Sequence, residues 1–168
     1  AAKVPVLEVV HSESENFVLT ESMVIVDYIA DVFGRDSICA TTPEDRAVAH
    51  LFTELCSGAF SYFPILRARG DDSKTAVNLA NFKKELTNLD TFLKSKRKAG
   101  GPFLLGSVFS TAECVLAPFV QRGCVLLPHF MGPDFDPLLI ADIEGLDAAA
   151  AWIRAVLDRP SVVATGTD

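Results

Sequence analysis

Few folds accommodate the way this chain begins. Lys3-Val4-Pro5-Val6-Leu7-Glu8 is followed across a polar turn by Leu19-Thr20-Glu21-Ser22 and an apolar run at helical spacing from Met23 to Val32. The segment reads as two strands feeding a helix. It exposes main-chain groups beside Pro5 and starts its helix at Glu21-Ser22. There, first-turn N–H groups without intrahelical acceptors and the positive end of the helix dipole favour an anion, so the pair predicts a carboxylate site. Two strands and a helix are about the smallest sheet fragment that can persist, and such a fragment usually needs further pairing. The expectation is that a segment upstream, or another chain, covers the open edge.

Everything after this unit reads as helical. Gly34 ends the first helix and residues 35–42 read as a linker. Thr41-Thr42-Pro43-Glu44-Asp45 is a helix start: Thr42 can cap, Pro43 suits the first helical position, and two carboxylates follow in the first turn. Ala47, Leu51, Leu55 and Ala59 recur at helical spacing, and Phe52, Cys56, Phe60 and Phe63 widen the stripe, which predicts a long, deeply packed helix ending or kinking near Phe63. A second amphipathic helix is expected from about Ser73 to Lys96, antiparallel to the first. Ser110-Thr111-Ala112-Glu113 reads as a capping box, with Phe109 and Cys114 placed for a hydrophobic staple. The helix beyond it, Cys114 to Gln121, is apolar nearly all round and so belongs at the centre of a helical core, bent at Pro118. A Pro- and Gly-rich loop is expected from Pro128 to Pro137. One more helix is expected from Ile143 to Leu157, carrying Trp152.

Composition narrows the function. With 22 acidic against 15 basic residues the net charge is −7, the wrong sign for a nucleic-acid binder, whose phosphates call for clustered Lys and Arg. The one dense basic run, Lys94-Ser95-Lys96-Arg97-Lys98, closes a predicted helix and reads as compensation of the C-terminal dipole. A mean hydropathy of +0.30 raises the question of a membrane. Each apolar run is nevertheless interrupted by charge, Pro or Gly short of the roughly 20 residues a spanning helix needs, so the chain is expected not to span one. No targeting signal is visible. Cys39, Cys56, Cys114 and Cys124 form no CxxC and no ligand-like spacing with His11, His50 or His129, which argues against a zinc site and for buried thiols in a reducing compartment, cytoplasmic or inside an organelle. Cys114, one turn inside a helix among apolar neighbours, is expected to be inert.

Taken in order, Val4-Pro5, Glu21-Ser22, a linker, then a helical region containing Phe103-Leu104-Leu105-Gly106 and the Ser110 capping box resemble the glutathione S-transferase family, over nearly the whole chain. Among its classes the sequence looks most like omega, lambda or related thiol-transferase-type members. The resemblance implies an α+β fragment over residues 1–34, a partial thioredoxin-like strand–strand–helix. It further implies a linker over 35–42 and an all-α domain like the family's C-terminal domain over 43–168. It also implies glutathione as co-substrate and no metal. By resemblance the Val4–Pro5 peptide is cis and turns the Val4 main chain toward the cysteinyl backbone of glutathione. Ser22 then meets the γ-glutamyl carboxylate through its N–H and hydroxyl, Glu21 meets the amino group, and Lys3 could pair with the glycyl carboxylate. Phe60, Tyr62, Phe63 and Trp152 could line a hydrophobic co-substrate pocket.

The chain departs from the family pattern in three places. The turn from Val9 to Phe17 is longer than usual. Glu113 stands where the family usually has Asp. The family's first βαβ unit, which carries its catalytic Ser, Tyr or Cys, is absent, so no catalytic residue can be named. Two readings stay open. In one, the chain belongs to a glutathione-dependent transferase or thiol reductase, with glutathione and a small electrophile or disulfide as its partners. In the other, it is a non-catalytic subunit that acts as a scaffold or interaction module for protein partners, a homodimer among them.

Overall fold

A computed structural model describes residues 4–10, 15–34 and 38–166 of the chain. Strands β1 (Val6–Val9) and β2 (Phe17–Thr20) pair antiparallel, with Val6 opposite Thr20 and Val9 opposite Phe17. Because strand side chains alternate between faces, this register puts Leu7 and Leu19 on the half-buried side and Val6 and Val18 on the other, where both are exposed. Helix α1 (Ser22–Phe33) crosses the pair, and the ring of its Tyr28 lies 5.9 Å from that of Phe17. The Val4–Pro5 bond is cis. The expected turn residues His11 to Ser14, and Lys3, lie outside the described residues.

The remainder is helical: α2 (Pro43–Cys56), a 3₁₀ turn at Ser57–Phe60, α3 (Phe63–Arg67), α4 (Asp72–Lys96), α5 (Thr111–Met131), α6 (Pro137–Ile143), α7 (Asp147–Leu157) and α8 (Pro160–Val163). A strand–strand–helix fragment followed by a helical bundle is the expected fold class. The Thr42 hydroxyl accepts from the Asp45 N–H at 3.1 Å, so α2 starts where its sequence says it should. Helix α5 is central as expected, packing on α1, α2, α3, α6, α7 and α8.

Several boundaries differ from the sequence reading. Helix α2 stops at Cys56, not near Phe63: the chain tightens into the 3₁₀ turn at Ser57-Gly58 and restarts with Pro64 in the first turn of α3. Its buried face is Ala49, Phe52 and Cys56, leaving Leu51 and Leu55 about half exposed, so the apolar stripe is rotated from the one expected. Helix α5 continues through Pro118 and Pro128 to Met131, where a loop was expected. At 21 residues, with a mean hydropathy of 1.3, it is long and apolar enough by length and composition to cross a membrane, which corrects the view that every run falls short. Helix α7 begins at Asp147; Ile143 instead ends α6, and Gly145, at φ 68°, makes the break between them.

The helical core is tied together by two buried carboxylates. Glu113, fully buried, accepts at Oε1 from the Leu104 N–H (2.8 Å) and Trp152 Nε1–H (3.1 Å), and at Oε2 from the Ser110 N–H (2.9 Å) and hydroxyl (2.6 Å). The capping box is thus present, but its carboxylate also holds a loop and a distant helix. Asp90 on α4 accepts at Oδ1 from the N–H groups of Ala148 and Ala149 at 2.9 and 3.1 Å, capping α7, whose own first residues supply no side-chain cap. Lys94 pairs with its other oxygen at 2.6 Å, and Lys98 with the buried Asp45 at 2.7 Å, so two cations of the basic run serve structural carboxylates.

Candidate functional site

Glu21 and Ser22 sit at the hinge between β2 and α1. Glu21 is the one non-glycine residue with positive φ among those described (φ 70°, ψ 116°), a conformation most side chains avoid. It turns the chain into α1 but its side chain makes no capping hydrogen bond. Among the described residues no side chain accepts from the first-turn N–H groups of α1, which lie at exposed residues, as an anion site requires. The β1–β2 register ends with Val6 opposite Thr20, so Pro5, just before β1, and Glu21, just after β2, flank the same end of the hairpin. The Val4–Pro5 bond at that end is cis, with Val4 90% exposed. Of the residues expected to meet glutathione, Val4 and Pro5 precede β1 and Glu21 and Ser22 follow β2; Lys3 falls outside the described residues.

One residue further along α1, Met23 forms the lip of a groove of about 480 Å³. Phe60 and Phe63 line it, together with Val115 and Phe119 of α5 and the 3₁₀ residues Ser57 and Gly58. Tyr62 and Trp152 do not line it. Trp152 is fully buried, its ring 5.5 Å from Phe52 in an edge-on pair and 5.6 Å from Phe60, and its indole N–H is spent on Glu113. Tyr62 is buried and stacked on Phe63, ring centres 4.6 Å apart. Both rings contribute to the core that backs the groove, with aromatic pairs each worth about 0.5–1.5 kcal/mol beyond area burial. Met23, Val115 and Phe119 were missed from sequence. Only Met23, next to Ser22, carried a signal, because the α5 residues reach the site through packing alone.

Three of the four thiols are poorly set up for nucleophilic attack. Burial pushes the Cys56 thiol up to about 12, helped by the Glu85 charge, and burial again raises Cys124 to about 12, with Asp136 adding to it. Cys114 is raised as well, mainly by burial, which exceeds the opposing effect of Arg159. Each is therefore overwhelmingly protonated near neutrality. Among the described residues, no group of three or more His, Cys, Asp and Glu could hold a metal ion.

No protein-family model matches the chain. A curated relative, the glutathione S-transferase-like protein OpS6 of Beauveria bassiana, is 27% identical over 165 residues, covering 93% of this chain and 70% of its own length. Among solved structures, glutathione transferase Omega 3C of Trametes versicolor superposes with a TM-score of 0.68 at 26% identity, over 90% of this chain but 63% of its own. A glutathione transferase of Burkholderia graminis, solved with two glutathione molecules bound per subunit, superposes with a TM-score of 0.67 at 19% identity, over 96% of this chain and 65% of its own. The chain thus spans about two thirds of the length of these three proteins. Its resemblance to glutathione S-transferases holds in sequence and in fold.

Proposed function

We propose that this chain binds glutathione at the N-terminus of α1 and works as part of a glutathione-dependent transferase or thiol reductase. The observation that carries this reading is the uncapped helix start at Glu21-Ser22, at the hairpin end that the cis Val4–Pro5 bond also flanks, with the next residue, Met23, lining an apolar groove. Its donor set fits a γ-glutamyl group: the N–H and hydroxyl of Ser22 would hold the carboxylate, and the Glu21 carboxylate would face the amino group. The Val4 main chain would meet the cysteinyl backbone, and Lys3 the glycyl carboxylate. Phe60 and Phe63, in the adjacent groove, would take the apolar part of a co-substrate. Bound glutathione supplies a thiol whose thiolate attacks an electrophile or a disulfide. This chain's residues bind and orient it. The buried Cys56 and the partly buried Cys114 and Cys124, with their raised thiol pKa values, do not serve as the attacking group. The glutathione held by the Burkholderia graminis protein, which shares the fold, supports the reading. Within it, residues 1–34 form the thioredoxin-like portion and 43–168 the helical domain, joined by 35–42.

Titration calorimetry with reduced glutathione tests the assignment. Wild-type chain is expected to bind, and Glu21→Ala combined with Ser22→Ala to abolish binding while leaving helix content unchanged. Undiminished binding by the double variant would place the ligand elsewhere.

A second reading, a non-catalytic interaction subunit, draws on a different observation. Val6 and Val18 are exposed on the outer sheet face, and Met23, Val24, Leu51 and Leu55 are exposed on neighbouring helices. Surfaces of this kind are buried when a second copy or another protein docks. Turnover with a chloronitrobenzene or a mixed disulfide, run beside size-exclusion chromatography, separates the two. Association without turnover favours the subunit, and turnover from a monomer favours the enzyme.

A further inference from the structure

The groove beside Ser22 has a neighbour. A second hollow of about 550 Å³ lies between α1 and α2, and the two share three lining residues: Thr53 and Glu54 from α2, and Met23 from α1. We propose that Met23 divides what is otherwise one trough along α2, and thereby limits the groove to co-substrates with a compact apolar group. This inference rests on the glutathione reading above and narrows its co-substrate to a size class.

The trough follows from helical periodicity. Ala47, Leu51 and Glu54 recur at steps of four and three residues and so share one face of α2, which Ser57 continues into the 3₁₀ turn. Ala47 and Leu51 line the far hollow, Ser57 lines the groove, and Glu54 lines both. From Ala47 to Ser57 this floor runs roughly 15 Å at the α-helical rise. Its far margin is polar, since His50 Nε2 and Asp27 Oδ2 lie there 3.5 Å apart.

Of the three residues on the dividing line, only Met23 can act as a wall against an apolar chain. Thr53 is buried and its hydroxyl is spent on the Ala49 carbonyl at 2.9 Å. Glu54 is exposed, so its carboxylate stays hydrated and a chain can pass beneath it. Met23 is an unbranched thioether with 39% of its surface exposed. Swinging it aside strips apolar surface that is now covered, and a long chain must offset that loss before it gains anything from the far hollow. A short group fills the groove and leaves Met23 in place.

Calorimetry on the whole chain with S-methyl-, S-hexyl- and S-decylglutathione, each below its aggregation limit, tests the inference. A methylene that finds an apolar wall tightens binding by up to about fourfold, so wild type should bind the hexyl thioether about tenfold or more tightly than the methyl one. The step from hexyl to decyl should then add less than about threefold in wild type, but about tenfold or more in Met23→Ala. Met23→Leu, which keeps an apolar side chain of similar volume, should retain the wild-type limit. Leu51→Trp, introduced from an exposed position in the far hollow, should cancel the gain of Met23→Ala. Circular dichroism confirms that each variant is folded. An unchanged hexyl-to-decyl ratio in Met23→Ala, the outcome expected if a second copy or another protein covers the far hollow, overturns the inference and leaves the glutathione reading standing. So does a large decyl gain already present in wild type, or one that survives Leu51→Trp. Folded wild type that binds none of the three thioethers overturns both.

Discussion

Replacing Glu113 is expected to be among the most damaging single substitutions in the helical core. The capping box alone predicts a loss of about 0.5–2 kcal/mol for either partner. The structure separates the two. Glu113→Ala strips four buried donors of their acceptor: the Leu104 and Ser110 N–H groups, the Ser110 hydroxyl and Trp152 Nε1–H. An unsatisfied buried donor costs about 1–3 kcal/mol, and partial relaxation or an admitted water recovers some of that, so the net loss should be about 4–6 kcal/mol. Ser110→Ala removes one donor and leaves the carboxylate three, for about 1–2 kcal/mol. Glu113→Gln keeps the shape but turns an NH₂ toward groups that are themselves donors, and should fall between. At about 2–4 °C per kcal/mol for a chain of this size, Glu113→Ala should melt roughly 8–24 °C below wild type in thermal scans followed by circular dichroism. Trp152→Phe combined with Glu113→Ala should cost less than the sum of the single changes, because the two share a bond. If Glu113→Ala and Ser110→Ala lie within about 0.5 kcal/mol of each other in urea melts, the carboxylate is not holding Leu104 and Trp152 in place, and the argument fails.

Asp90→Ala should cost about 2–4 kcal/mol by uncapping α7, whereas Lys94→Ala, at the exposed end of the same contact, should leave the denaturation midpoint nearly unchanged; equal effects would mean that the ion pair, not the cap, matters. Gly101→Ala would place its Cβ against the Gly106 carbonyl oxygen and distort the loop that brings the Leu104 N–H to Glu113, at a cost of about 2–3 kcal/mol, read from the same melts. Cys56 and Cys124, with thiols held at about 12 against an ordinary 9.0, should resist iodoacetamide at pH 8 in the native state and react on unfolding, as followed by peptide mass spectrometry. Because the raised values mean that the folded state favours the protonated thiol, their contribution to stability is complete below pH 9 and is lost as pH climbs from about 9 to 12; stability that rises through that window in wild type relative to Cys56→Ala, Cys124→Ala would contradict the assignment.

The parts of this protein legible in its sequence are those written within a few neighbouring residues. Thr42-Pro43-Glu44-Asp45 begins a helix because a hydroxyl, a fixed φ and two carboxylates act over one turn, and α2 begins there. Ser110 and Glu113 are likewise three residues apart, and their carboxylate contact forms. The turn from β2 into α1 belongs to this class, since Thr20, Glu21 and Ser22 are adjacent and α1 begins at Ser22. Helix ends set by competition between local breakers and tertiary packing were not legible. Ser57-Gly58 halts α2 where the apolar spacing continues, while Pro118 and Pro128 fail to halt α5, which helices on several sides hold in place. Which aromatic faces the groove was equally undetermined, because the 3₁₀ turn resets the helical phase between Cys56 and Phe63, sending Tyr62 inward and Phe63 out. Trp152 lies 39 residues from the carboxylate that claims its N–H, and Asp90 lies 58 residues from the helix it caps. Only once the helices pack do these groups share a dry interior, where an unpaired donor is costly enough to make each of them necessary.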